Sequence, residues 1–144
     1  MEKRIIVDIT ESVIDLGELY DFLRMSEGGA VNLFVGTTRK KTESRETVRL
    51  NYEAAPDLAL AQMNALVSEA LSRWPVLRAV CVHRVGEVPV TEASVIIGVA
   101  TPHRVASFEA TRFLIDELKR SVPVWKKEFY ADGASEWVEG TTPG

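Results

Sequence analysis

The sequence predicts an α+β domain with a mostly antiparallel sheet and about three helices, and three observations carry that expectation. Stretches with strand periodicity and stretches with helical periodicity follow one another as β-α-β-β-α-β-β-α-β-β, without the strict βαβα alternation of a doubly wound fold. The 144 residues, 46% of them hydrophobic, suffice for one core and are too few for two ordinary ones, so a single domain is expected over 1–144. No repeat, low-complexity tract or long linker divides the chain.

KRIIVDIT opens as a strand through Ile5, Ile6, Val7 and Ile9, and VIDLGELYDFLR follows with Leu16, Leu19, Tyr20 and Leu23 at helical spacing. Gly28-Gly29 breaks the chain. AVNLFVGTTR is rich in strand formers up to Gly36, and RETVRLNYEA places Val48, Leu50 and Tyr52 on one face with Arg49 and Asn51 on the other. KKTESRE between them reads as a polar hairpin loop. After Pro56 a helix is expected from about Asp57 to Arg73, with Leu60, Met63, Leu66, Val67, Ala70 and Leu71 toward the core, ended by Trp74-Pro75. RAVCVHRV and ASVIIGVAT are strands separated by the turn-prone GEVPVTE. The third helix is expected from about Arg104 to Arg120, stopping before Pro123; VWKKEFY, a DGAS turn and the short strand EWVEG complete the order.

A net charge of −4 argues against a general nucleic-acid binder. No apolar run approaches the ~20 residues of a membrane span, and the N-terminus reads as a strand and not as a leader, so the cytoplasm is the expected location. The lone Cys81 has no intramolecular disulfide partner and sits in an apolar strand, which makes it a poor sulfur carrier. No Cys/His set has the spacing of a metal site, and no cofactor is expected.

Basic residues gather in three places. His103-Arg104 stands where a strand meets a helix, as an anion site using the helix N-terminus or as a solvated loop end. Arg39 follows Thr37 and Thr38 after Gly36, where backbone can approach a ligand and a guanidinium can fork onto phosphate; Lys40 and Lys41 read as a solvated hairpin tip. Lys119 and Arg120 end the third helix, and Lys126 and Lys127 follow on the next strand. Arg120 is explained as a partner of the helix dipole. Lys119 shares a stripe with Phe108, Arg112 and Ile115, and strand alternation sets Lys126 and Glu128 on the face opposite Trp125, Lys127 and Phe129, with Trp125 and Phe129 expected to anchor the strand by packing. Either lysine stem can snorkel along apolar surface. Convergence of Lys119 and Lys126 across the Pro123 turn would instead lower the pKa of each and make an amine usable near neutral pH. His83-Arg84, at a strand end, reads as structural.

FVGTTR, RWP, VHRVGEV, TPHRVASFEA, LKRSVPVWKKE and EWVEG, in this order, resemble the MoaE family, the large catalytic subunits of molybdopterin synthase. The similarity covers nearly the whole chain after Gly28, and its most specific parts are PHR followed by SFEA, and P-x-WKKE. The resemblance implies an α/β-hammerhead-like fold and a sulfurtransferase that converts cyclic pyranopterin monophosphate to molybdopterin. Sulfur would come from the C-terminal Gly-Gly thiocarboxylate of a small ubiquitin-like subunit, in a heterotetramer built on a homodimer of the large chain. By position it implies Lys119 and Lys126 as catalytic residues, with Thr37, Thr38, Arg39, His103, Arg104, Lys127 and Glu128 at the substrate. One departure is visible: some members carry arginine just past Trp-Val-Glu, where this chain has Gly140 and Thr141.

Arg104 and Lys119 lie fifteen residues apart on one expected helix, about 22 Å at ~1.5 Å per residue. A site using both is therefore expected to be composite, with His103 and Arg104 from a second protomer. The competing reading is a non-enzymatic anion-binding or adaptor domain: a docking surface tolerates Lys126→Arg, whereas a catalytic amine does not.

Overall fold

The computed structural model describes residues 3–42 and 45–139. Its elements are β1 (Ile5–Thr10), α1 (Leu16–Leu23), β2 (Ala30–Thr37), β3 (Lys41–Thr42), β4 (Arg45–Ala54), α2 (Pro56–Arg73), β5 (Arg78–Arg84), β6 (Gly86–Pro89), β7 (Ala93–Thr101), α3 (Arg104–Ser121), β8 (Val124–Tyr130) and β9 (Ser135–Glu139). One sheet has the order β1-β5-β7-β2; the second has the order β3-β4-β8-β9, with β6 also paired to β4. Only β1 and β5 run parallel among the described strand pairs. The α+β expectation with three helices and a mostly antiparallel sheet agrees with this arrangement.

The first sheet is covered on both faces, which is why RAVCV and SVIIGVA are continuous apolar runs. Ala79, Cys81, Ile97 and Val99 meet Met63 and Val67 of α2 and Leu114 and Leu118 of α3. Val80, Val82, Ile96 and Ala100 pack with Leu19 and Leu23 of α1. Leu114 is 1% exposed, so its truncation to alanine would cost about 2–5 kcal/mol. Helix α1 is capped by the Asp15 carboxylate, which accepts from the Glu18 N–H at 3.1 Å, and it keeps Leu16 and Tyr20 exposed. The break at Gly28-Gly29 has a steric cause: a Cβ on Gly29 would stand 2.2 Å from the Pro102 carbonyl oxygen. That close approach joins the start of β2 to the strand-to-helix junction before α3, reinforced by the Gly29 N–H donating to the Thr101 carbonyl at 3.0 Å.

Four sequence expectations are corrected. The register of β4 against β8 shifts between Thr47 and Arg49, so a bulge breaks the expected alternation: Thr47 turns inward with Leu50 and Val48 is exposed. KKTESRE is not all loop, because Lys41–Thr42 pairs with Arg45–Glu46; residues 43–44 lie outside the described residues. GEVPVTE contributes β6, paired with Arg49 to Tyr52 of β4, before the turn in which Thr91 adopts φ 77°. Trp125, expected to anchor its strand by packing, is half exposed.

Candidate active site

Helix α3 ends where the sequence requires: the Val122 N–H donates to the Leu118 carbonyl at 3.1 Å and Pro123 prevents another turn. The chain then reverses into β8, whose inward residues are Val124, Glu128 and Tyr130. Lys119, in the last turn of α3, and Lys126, on the inward face of β8, thereby reach one pocket of about 250 Å³. Arg39, Thr37, Phe34, Tyr52 and Glu128 also line it.

The two amines are half-buried and both are weakened as bases. For Lys119 burial is the main cause, with the charges of Lys126 and Arg39 adding to it. For Lys126 burial again comes first; the Glu128 carboxylate opposes it and Arg39 supports it. Glu128 is 4% exposed and accepts from the Thr47 hydroxyl at 3.4 Å and the Tyr130 hydroxyl at 3.3 Å, which fixes the carboxylate beside Lys126. Three cations and one carboxylate gathered round a recess favour an anionic ligand.

Arg39 is held through its neighbours. The Thr38 N–H donates to the Glu92 carbonyl at 3.2 Å, and the Thr91 N–H donates to the Thr38 carbonyl at 2.9 Å. Arg84, buried, clamps that turn by pairing with Glu92 at 2.7 Å. Gly36 adds a packing reason to its wall position: a Cβ there would lie 2.8 Å from Val95 Cγ1.

The other sequence candidates stand elsewhere. Thr38 is buried behind the loop and does not line the pocket. Lys127 is on the outer face of β8, with its ammonium 5.4 Å from the centre of the Phe129 ring and 5.6 Å from that of Trp137. His103 and Arg104 are exposed at the opposite end of α3, where His103 is the N-cap residue without a side-chain capping bond. The stripe of Phe108, Arg112, Ile115 and Lys119 passes from exposed at its start to half-buried at Lys119. The position after Trp-Val-Glu lies outside the described residues.

Sequence reasoning missed three polar lining residues, Tyr52, Ser94 and His83. Tyr52 and Ser94 form the floor; the Ser94 hydroxyl donates to the Gly36 carbonyl at 3.3 Å, and burial raises the Tyr52 phenol. His83 lies beneath them, 5% exposed, in a smaller cavity that it shares with Lys119 and Lys126. Strand alternation sets His83 on the face of Cys81, which was the available signal; what packs over that face was not readable.

Weakened paired amines beside an arginine make an acid–base site for an anionic substrate. The chain belongs to the MoaE protein family, whose model matches residues 9–121. It is 49% identical to molybdopterin synthase catalytic subunit 1 of Aedes aegypti over 134 residues, 91% of this chain and 86% of that one. The crystal structure of molybdopterin synthase from Staphylococcus aureus superposes with a TM-score of 0.83 at 30% identity, covering 96% of this chain and 98% of that one. The complex of subunits 1 and 2 of molybdopterin-converting factor from Helicobacter pylori shares the fold, with a TM-score of 0.75 at 19% identity over 92% and 88% of the two chains. No helix among the described residues is long and apolar enough to cross a membrane.

Proposed function

We propose that this chain, as one catalytic domain in the cytoplasm, is the sulfur-transferring subunit of a molybdopterin synthase. The observation that carries the reading is the pair Lys119 and Lys126, brought from α3 and β8 into one recess beside Arg39 and weakened as bases. Family membership and the Aedes aegypti relative point to a molybdopterin synthase, and the reaction is the one the sequence resemblance implies: cyclic pyranopterin monophosphate receives sulfur from the thiocarboxylate tail of a small ubiquitin-like subunit.

The residues divide the work. Arg39 holds the substrate phosphate, with Thr37 at the pocket wall as a hydrogen-bonding neighbour. Lys126, with the Glu128 carboxylate favouring its charge, stabilises the oxyanion that develops when water adds to the acyl carbon of the sulfur-linked tail; collapse breaks the C–S bond, leaving sulfur on the pterin and a carboxylate on the tail. Lys119, which gives up its own proton more readily than an ordinary lysine, accepts the proton of that attacking water. Cys81 takes no part: burial pushes its thiol up to about 12, so sulfur comes from the partner.

Mixing the purified chain with cyclic pyranopterin monophosphate and a thiocarboxylated small subunit should yield molybdopterin. Lack of product with a partner shown to be competent would favour the adaptor reading.

A second proposal concerns assembly. His103 and Arg104 are exposed at one end of the 18-residue α3 and Lys119 lies near the other. We infer a homodimer in which His103 and Arg104 complete the pocket of the other protomer, each protomer also carrying one small subunit.

A further inference from the structure

His83 is buried and titratable, and the reaction above gives it no task. On β5 the alternation turns it to the side of Ala79 and Cys81, where α3 packs, so the imidazole lies below the helix that carries Lys119. The two ring nitrogens differ. Nδ1 is 2.8 Å from the Arg84 carbonyl oxygen, and a carbonyl only accepts, so Nδ1 carries the hydrogen and Nε2 keeps a lone pair. The ring lines a cavity of about 20 Å³ whose other polar walls are Tyr52, Ser94, Lys119 and Lys126. That is room for about one water. Tyr52 meets the imidazole edge-on, with centroids 5.1 Å apart.

Resting on the reading that Lys119 is the working amine, we infer that His83 is its positioning residue: Nε2 accepts from the one water the small cavity has room for, that water accepts an N–H of Lys119, and the amine lone pair is turned toward the larger pocket. A neutral acceptor suits the place. A carboxylate there would attract a proton to Lys119 and remove its basicity, whereas imidazole orients without adding charge. The titratable groups that share the ring's cavity are Lys119 from α3, Lys126 from β8 and Tyr52 from β4, while Glu128 of β8 and Arg39 after β2 line the larger pocket. Burial first, and then the Lys119 charge, push His83 down to about 4, against the pull of the Arg84 carbonyl. It stays neutral wherever a lysine amine is useful.

Two variants in the assembled synthase test the role. His83→Leu removes the acceptor at similar volume, and His83→Gln keeps one. His83→Leu should lower kcat on the order of 10- to 100-fold, with KM for the pterin little changed. It should also move the acid limb of the kcat profile to lower pH, because an ammonium that loses its acceptor gives up its proton more readily. His83→Gln should restore most of the rate and the limb. Equal losses in both variants, with the limb unmoved, would assign His83 to packing and overturn the inference. Histidine ¹⁵N spectra of the native chain give a readout independent of turnover and of the folding of any His83 variant. The chain has two histidines, so His103→Ala identifies the His83 signals. The Nδ1–H tautomer should persist from about pH 5 to about 8, and the Nε2 resonance should move in Lys119→Gln. The other tautomer, or an Nε2 resonance indifferent to Lys119→Gln, overturns the contact even in an active enzyme; the expected spectra without molybdopterin formation would instead remove the reaction and leave the contact standing.

Discussion

Lys119 and Lys126 line the same two cavities from different elements, one at the end of α3 and the other on β8, yet their surroundings treat them unequally. The Lys126 charge adds to burial in lowering Lys119, while Glu128 partly restores Lys126. Like charges in one site titrate in sequence: the first proton leaves against the neighbour's charge, and the second leaves beside a neutral amine. That repulsion is mutual, so the Glu128 carboxylate, which favours the Lys126 ammonium, sets Lys119 as the first to deprotonate.

Acylation with a limiting amine reagent, followed across pH by peptide mass spectrometry, should modify Lys119 at lower pH than Lys126. Lys126→Gln removes a neighbouring cation, so it should shift the Lys119 profile to higher pH. Earlier modification of Lys126, or a Lys119 profile unmoved by Lys126→Gln, contradicts the order.

Unequal roles give unequal mutants. Arginine keeps the charge but never supplies a free amine. Lys119→Arg should lose about 10²- to 10⁴-fold in kcat, the range of a general base. Lys126→Ala should lose about 10²- to 10³-fold, as for a missing oxyanion donor, with Lys126→Arg falling less because Glu128 can still hold a cation there. The decisive arginine substitution is thus at Lys119, not at Lys126, and a docking surface would tolerate both.

Much of this was legible in the sequence for a definite reason. Helical spacing and the Pro123 stop are local signals, so the end of α3, the reversal into β8 and the meeting of Lys119 with Lys126 could be expected from residues a few positions apart. The misses were non-local. Strand β6 is four residues long with a proline at its end, and only pairing with β4 makes it a strand. Val48 departs from its alternation because β8 imposes a bulge. Trp125 lies on the outer face of the second sheet, where aromatic character does not mean burial. His83 could be placed on a strand face by counting, but the lysines above it come from α3 and β8.

The composite site has a complementation test. His103→Ala and Lys119→Ala chains, each inactive alone, should regain molybdopterin formation when mixed, because one pocket of the heterodimer receives both native contributions. Subunit exchange verified by mass spectrometry without any recovered activity would count against shared pockets.

Cys81 should be dispensable for transfer. It is 1% exposed in the apolar core, so the native chain should resist thiol alkylation and react on denaturation. Cys81→Ala should keep kcat within about twofold while losing on the order of 1 kcal/mol of stability to the small cavity. A collapse of activity in a folded Cys81→Ala chain would mean that sulfur passes through this thiol after all.

His83 also gives stability a pH dependence of known sign. Its folded value of about 4 lies below the ordinary 6.5, so the unfolded chain binds the proton first. Above about pH 6.5 the imidazole is neutral in both states and costs nothing. As pH falls from there toward 4, stability is lost, on the order of 3 kcal/mol across the whole interval. Urea midpoints should therefore drop between about pH 7 and about pH 5 by more in the native chain than in His83→Gln, which carries no titrating group at that position. Carboxylates common to both chains cancel in the difference. Parallel midpoints across the range would show that His83 titrates alike in both states, which would contradict a sealed, neutral imidazole under Lys119.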